Sequence, residues 1–211
     1  MNQLLILGAG GHGKVIAETA EASGEWQKIA LLDDRSEDLN GTLRWPVLDK
    51  AGRADRFISE YSHATVAIGD STRRLEWLDM LSSYGFKIPS LIHPAAWISP
   101  SARLAEGCVV MANATVQADV QLGRGCIVNT GASVDHDGVL GDGVHVCPGV
   151  SLGGDVQVGR GSWLGIGASV IQGVRIGEHV TVGAGAVVIS DISDGMTVVG
   201  VPAKGISGGL D

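Results

Sequence analysis

From Ile98 to Ser193 the sequence repeats every six residues. The first position of each block is Ile98, Leu104, Val110, Val116, Leu122, Val128, Val134, Leu140, Val146, Leu152, Val158, Leu164, Val170, Ile176, Val182 and Val188. Sixteen consecutive blocks therefore open on Ile, Leu or Val in a single register. The fifth position is small or branched, as at Ala102, Cys108, Ala114, Val120, Cys126, Ala132, Gly138 and Val144. Gly often follows the aliphatic, as in Leu140-Gly141 and Leu152-Gly153. A period of six matches neither the 3.6 of a helix nor the alternation of a lone strand. It fits short parallel strands broken by regular turns, a β-solenoid. The aliphatic and the small residue, two apart across the block junction, point inward.

Composition agrees with that reading. Of 211 residues 32 are Gly and only 4% are aromatic, without a collagen triplet, as expected of a solenoid with many turns. A net charge of −8 argues against a nucleic-acid or membrane-surface role. No apolar run reaches the length of a membrane span. The opening MNQLLILGAGG reads as a buried strand and a turn rather than a signal peptide, and with three Cys the expected compartment is the cytoplasm.

Residues 1–88 have a different texture. Leu4 to Leu7 is a short apolar run, followed by Gly8-Ala9-Gly10-Gly11-His12-Gly13 and a helical stretch from about Lys14 to Ala22. Ile29 to Leu32 is a second strand ending in Asp33-Asp34, and Ala64 to Ile68 a third ending in Gly69-Asp70. A second helix runs from about Ser71 to Ser83, with Ser71 or Thr72 as its cap. This is a β-α-β-(α)-β unit, a small Rossmann-like α/β domain. Residues 35–63 read as loop with a poor helix from about Asp49. Pro89 and Pro94 exclude helix from the linker 89–97. The β-solenoid and its tail occupy 98–211, and the terminal ISGGLD reads as a loose end.

Gly8, Gly10 and Gly13 satisfy G-x-G-x-x-G between a strand and a helix, and Asp33 lies where a dinucleotide site places its ribose carboxylate. Taken alone this would indicate an NAD dehydrogenase. Yet the residues before the repeat hold one mononucleotide half and nothing later supplies the second. The functional alternative is a loop and helix N-terminus that hold one diphosphate. The bland alternative is a tight βα turn without a ligand.

The GAGGHGKV loop, the strand ending in Asp33-Asp34, the AIGD strand end, LIHP, the hexapeptide run and the closing GVPAK resemble one subfamily of hexapeptide acyltransferases. It holds the nucleotide-amino-sugar N-acetyltransferases and the sialic acid O-acetyltransferases. The resemblance implies a left-handed parallel β-helix with three blocks per triangular coil, so that stacked positions lie eighteen residues apart. Cys108 and Cys126 then share an inward column and are expected to pack as small apolar residues, not as a disulfide. The resemblance also implies a homotrimer, and acetyl-coenzyme A as cosubstrate with no metal. In the UDP-4-amino-sugar enzymes of bacillosamine-type pathways, the residues matching Gly10, Gly11, His12, Asp33 and Asp34 contact the nucleotide sugar. Arg74 also matches the pattern, whereas Ser71 stands where relatives often have Asn.

His136, third in its block and flanked by Asp135 and Asp137, falls on an outward turn. A carboxylate beside an imidazole orients it and raises its basicity; the bland alternative is a solvated turn His. One coil on, Gly154 stacks over His136 and leaves a gap and an N–H for an oxyanion. The resemblance makes His136 the proton acceptor, Asp137 the residue that raises its basicity, and His145 a contact of acetyl-coenzyme A. Ile166 and Ala184 match positions lining the coenzyme, Ala184 in place of a Gly. His136 and His145 are nine residues apart, half a coil, and so cannot share a site within one chain. The expected site is a subunit seam. The expected reaction is acetyl transfer to the 4-amino group of a UDP-4-amino-4,6-dideoxy sugar, with GDP-perosamine and a sialic acid hydroxyl as alternative acceptors. A zinc solenoid of the γ-class carbonic anhydrase kind fits poorly, since His179 is 34 residues beyond His145. A nucleotide-binding scaffold is the non-enzyme alternative.

Overall fold

A computed structural model describes residues 2–206, so most of the expected loose end lies outside the described residues. The chain forms two compact units, Met1–Pro94 and Ala95–Asp211. The stretch read as a linker, 89–97, is divided between them.

The first unit is a three-stranded parallel sheet in the order β2-β1-β3, with β1 Gln3–Leu7, β2 Lys28–Leu32 and β3 His63–Val66. Leu4, Leu5, Ile6 and Leu7 are all fully buried. A continuous apolar strand of this kind belongs in a parallel sheet covered on both faces. Leu5, Leu7, Ala30, Leu32, Ala64 and Val66 pack with Leu75, Leu78 and Leu81 of helix α3, Ser71–Ser83. Helix α1 spans Gly11–Ser23, beginning three residues before the expected Lys14, because Lys14 N already donates to Gly10 O. The cap of α3 is Asp70, not Ser71 or Thr72: its carboxylate accepts the Arg73 N–H at 2.8 Å. Between β2 and β3 lie a single helical turn, α2 Ser36–Leu39, and a 3₁₀ segment, Ala51–Phe57, where the poor helix was expected.

The second unit is built from two-residue strands. Ile127–Val128 pairs in parallel with Val109–Val110 on one side and His145–Val146 on the other, eighteen residues away in each direction. Ser133–Val134 and Val139–Leu140 stack in the same way on the other two faces of the prism. Inside is one continuous core of the first-position and fifth-position residues from Cys108 to Val188. Cys108 and Cys126 are buried free thiols whose Sγ atoms donate to the Gly123 and Gly141 carbonyls.

The fourth position of each block adds a constraint. At every block from Gly107 to Gly185 this residue has positive φ. It is Gly at most levels and Asn113, Asp119, Asp137, Asp155 or His179 at the rest. Left-handed backbone costs an ordinary residue energy and is tolerated by Gly, Asn and Asp. The register breaks after Val188: Thr181 pairs with Thr197 and Ile176 with Ile192, sixteen residues on. The strands Thr197–Val199 and Lys204–Gly205 then form an antiparallel hairpin whose turn is the GVPAK segment. That hairpin covers the last open edge, as a terminal repeat must.

The corner rule is testable at Gly149, where φ is +68° and an added Cβ meets nothing within 4 Å. Gly149→Val should lower stability in denaturant unfolding by about 1–2 kcal/mol through backbone strain alone, and Gly149→Asn should cost much less. Equal losses for the two would show that φ is not what the position requires.

Candidate active site

The site builds first around His136, at the corner between the strands Ser133–Val134 and Val139–Leu140. Its side chain is exposed. The left-handed backbone of Asp137 (φ 60°) turns that carboxylate back onto the imidazole, and Nδ1 lies 2.8 Å from Asp137 Oδ2. Asp135 accepts the His136 backbone N–H at 2.8 Å, which fixes the start of the turn. With Nδ1–H donated to Asp137, Nε2 carries the lone pair. The hydrogen bond to Asp137, then the charge of Asp135, raises the His136 pKa above its ordinary 6.5.

Gly154 lies one coil on, and its role is steric as well as chemical. A Cβ there would sit 2.5 Å from both Cε1 and Nε2 of His136. Any side chain there would displace the ring from this position. Its carbonyl accepts the Gly173 N–H, and its own N–H has no acceptor among the described residues. Alongside runs a groove of about 440 Å³ on the outer sheet face, lined by Ser133, Asp135, Ser151, Gly153, Ser169 and Gln172. Sequence reasoning missed this groove, although its signal was present: the residue before the aliphatic is Ser at three successive coils, Ser133, Ser151 and Ser169.

His145, Ile166 and Ala184 form a separate group. His145 lies on the outer side of another sheet, between Ile127 and Trp163 in register, and is half-buried. Its Nε2 is 3.2 Å from Asn129 Nδ2. Ile166 (59% exposed) and the exposed Ala184 stack at the corner that follows this sheet. His136 and Gly154 occupy a different corner of the prism.

In the α/β unit the three fingerprint glycines divide by role. At Gly8, with φ 109°, a Cβ would fall 2.8 Å from Ala67 O, and at Gly13 one would fall 2.1 Å from Gly8 O. Those two are needed by the protein itself. At Gly10 and Gly11 a Cβ meets nothing within 4 Å, so the chain imposes no steric need for Gly there. Asp33 has both oxygens engaged: Oδ2 accepts the Ala9 N–H at 2.9 Å, and Oδ1 accepts the Arg35 backbone N–H and Nε, each at 3.0 Å. Burial alone would raise its carboxyl, but the Arg35 guanidinium and the two amides together hold it below its ordinary value. Asp34 is exposed. Both carboxylates line a cleft of about 280 Å³ together with Arg35, Ile68, Arg73 and Trp77, which the sequence reading did not single out. His12 is half-buried, and burial followed by the Arg74 charge pulls its pKa down to about 4. It is therefore neutral at physiological pH and offers hydrogen bonds rather than charge. Arg74 is 1% exposed and donates to the Ile68 and Gly69 carbonyls at 2.9 and 2.8 Å, holding the β3–α3 turn. Among the described residues no group of three or more His, Cys, Asp or Glu is arranged to hold a metal ion.

Comparison with known proteins agrees with this architecture. Residues 3–81 match the PglD N-terminal domain family, and residues 155–190 match the bacterial transferase hexapeptide family. The UDP-N-acetylbacillosamine N-acetyltransferase of Bacillus subtilis is 39% identical over 113 residues, which span 53% of this chain and about half (52%) of that relative. The acetyltransferase domain of PglB from Neisseria gonorrhoeae, solved with acetyl coenzyme A, is 45% identical over 98% of this chain and 100% of its own, with a TM-score of 0.93. PerB from Caulobacter crescentus, solved with CoA and GDP-perosamine, is 40% identical over 98% of each chain, also with a TM-score of 0.93. The fold is thus a small α/β domain followed by a left-handed parallel β-helix, and the chain belongs to the hexapeptide-repeat sugar N-acetyltransferases.

Proposed function

We propose that this protein transfers the acetyl group of acetyl-coenzyme A to the 4-amino group of a UDP-4-amino-4,6-dideoxy sugar, working as a homotrimer with its sites at the subunit seams. The observation that carries the reading is the corner at His136. There a carboxylate-supported imidazole lies over a Gly whose N–H has no acceptor among the described residues. In this reading the neutral amine attacks the thioester carbonyl carbon. His136 Nε2 takes the amine proton as the C–N bond forms, and Asp137 stabilises the imidazolium. The Gly154 N–H faces the tetrahedral oxyanion. Collapse breaks the C–S bond, and the proton held by His136 passes to the leaving thiolate, giving an amide and free coenzyme A.

The coenzyme would lie along the flank of His145, Ile166 and Ala184 of the adjacent copy, because half a coil separates that flank from His136. The nucleotide would occupy the cleft at Asp33 and Asp34. The Gly10-Gly11 backbone and the α1 N-terminus would face the diphosphate, and Arg35 and Arg73 would add positive charge. GDP-perosamine is the second reading of the acceptor, favoured by the full-length likeness to PerB. Incubation with acetyl-coenzyme A and a panel of UDP- and GDP-amino sugars, followed by assay of free thiol, separates the two. Release with none of them would overturn the reading.

Two further outcomes are expected. His136→Ala should cut kcat by about 10²–10⁴ with little change in folding, and Asp137→Ala should lose less. In the wild type kcat/KM should rise with pH along a titration centred above 6.5, because only deprotonated His136 is a base. Asp137→Ala should move that midpoint down, after correction for the substrate amine. An unmoved midpoint would mean that another group titrates. Because a side chain at Gly11 meets open space, Gly11→Val tests the ligand and not the fold. It should raise KM for the nucleotide sugar far more than KM for acetyl-coenzyme A, and equal effects on both would make the loop structural only.

A further inference from the structure

The sequence reading gave the coenzyme contact to His145, and the hydrogen bonds around that residue argue for a different division of labour. Asn129 stands one coil before Cys147, at the end of the strand that pairs with His145–Val146. Its Oδ1 accepts the Thr130 backbone N–H at 2.8 Å, with Thr130 Oγ1 at 3.5 Å. A backbone amide can only donate, so this contact fixes which end of the carboxamide is oxygen. The other end, Nδ2, faces His145 Nε2 at 3.2 Å and must donate to it. His145 Nε2 is then an acceptor, so the ring is neutral with its proton on Nδ1, and Nδ1 is buried. Nδ1 is thus turned away from solvent, and Nε2 is engaged by Asn129. Asn129, held at both ends, keeps a second amide N–H with no acceptor among the described residues.

We infer that Asn129 supplies the hydrogen bond to a carbonyl oxygen of the acyl-pantetheine donor, and that His145 is a positioning residue which holds the Asn129 amide in place. The inference rests on the acetyl-coenzyme A reading above. Protonation of His145 would set two donors against each other and release the amide, which is why the neutral tautomer matters. A primary amide also suits a carbonyl acceptor better than an imidazole does, since it donates irrespective of pH.

The test has a part that needs no ligand. In nitrogen-15 spectra of the histidine-labelled protein, His145 should show the Nδ1–H tautomer, and Asn129→Ala should abolish that preference. An Nε2–H tautomer in the wild type overturns the inference. The second part is calorimetry with acetyl-coenzyme A. Loss of one hydrogen bond in Asn129→Ala should weaken binding roughly tenfold. His145→Ala should do about the same, and the double variant should be no worse than either single one, because both remove one contact. His145→Gln, which keeps an acceptor oxygen, should recover most of the affinity. Additive losses, with His145 contributing independently, would overturn the assignment. Repeating the titration with coenzyme A identifies the carbonyl: a loss confined to the acetylated form marks the thioester, and an equal loss marks a pantetheine amide. A wild type that binds no acetyl-coenzyme A would defeat the proposed function itself, whereas binding with additive losses defeats only this inference.

Discussion

The vertical hydrogen bonding of the prism is what the functional unit depends on. Inside the repeat, two-residue strands pair with the strands eighteen residues before and after them, so a residue's position in the repeat decides which face or corner it occupies. From Gly107 to Gly185 the fourth residue of each block turns its corner in left-handed backbone. At most levels Gly meets that demand. At Asp137 the same demand is met by a residue that also has a carboxylate, and the turn aims that carboxylate at His136. Under the proposed function, the His136–Asp137 pair is thus a structural corner residue put to chemical use.

The same stacking separates two groups of candidate site residues. Positions eighteen apart meet, and positions nine apart oppose each other across the prism. His136 with Gly154 and His145 with Asn129 are therefore held rigidly but apart. Each half is well ordered by its own contacts: the ring of His136 by Asp137 and the vacancy at Gly154, the amide of Asn129 by Thr130 and His145. Under the proposed function two copies bring the halves together, and the rigidity of the solenoid sets the geometry at the seam.

Much of this was legible in the sequence because the solenoid is a local code. The first-position and fifth-position columns named the core, and the βα pattern named the small domain, to within a few residues at each element end. The fourth-position rule was equally present in the sequence, as Gly, Asn or Asp at nearly every level, but the aliphatic repeat drew attention first. What sequence could not give was the orientation of side chains across coils. Nothing in spacing says that Asp33 spends its carboxylate on Ala9 and Arg35, that Arg74 is buried on two carbonyls, or that burial keeps His12 neutral. Arg73 and Trp77 were passed over because one turn of α3 brings them to the cleft only after Asp70 caps that helix.

The claim at the centre is that each site is completed by two chains. It is tested most directly by mixing two variants at acetyl-coenzyme A well below KM, one slowed in turnover by His136→Ala and the other weakened in coenzyme binding by Asn129→Ala with His145→Ala. After co-refolding or co-expression, a seam between an intact His136 corner and an intact Asn129–His145 flank regains both halves. The mixture should then turn over acetyl-coenzyme A faster than the average of its two parents. Mixed oligomers that form and show only the average of their parents' activities would contradict it, because both halves would then have to come from one chain.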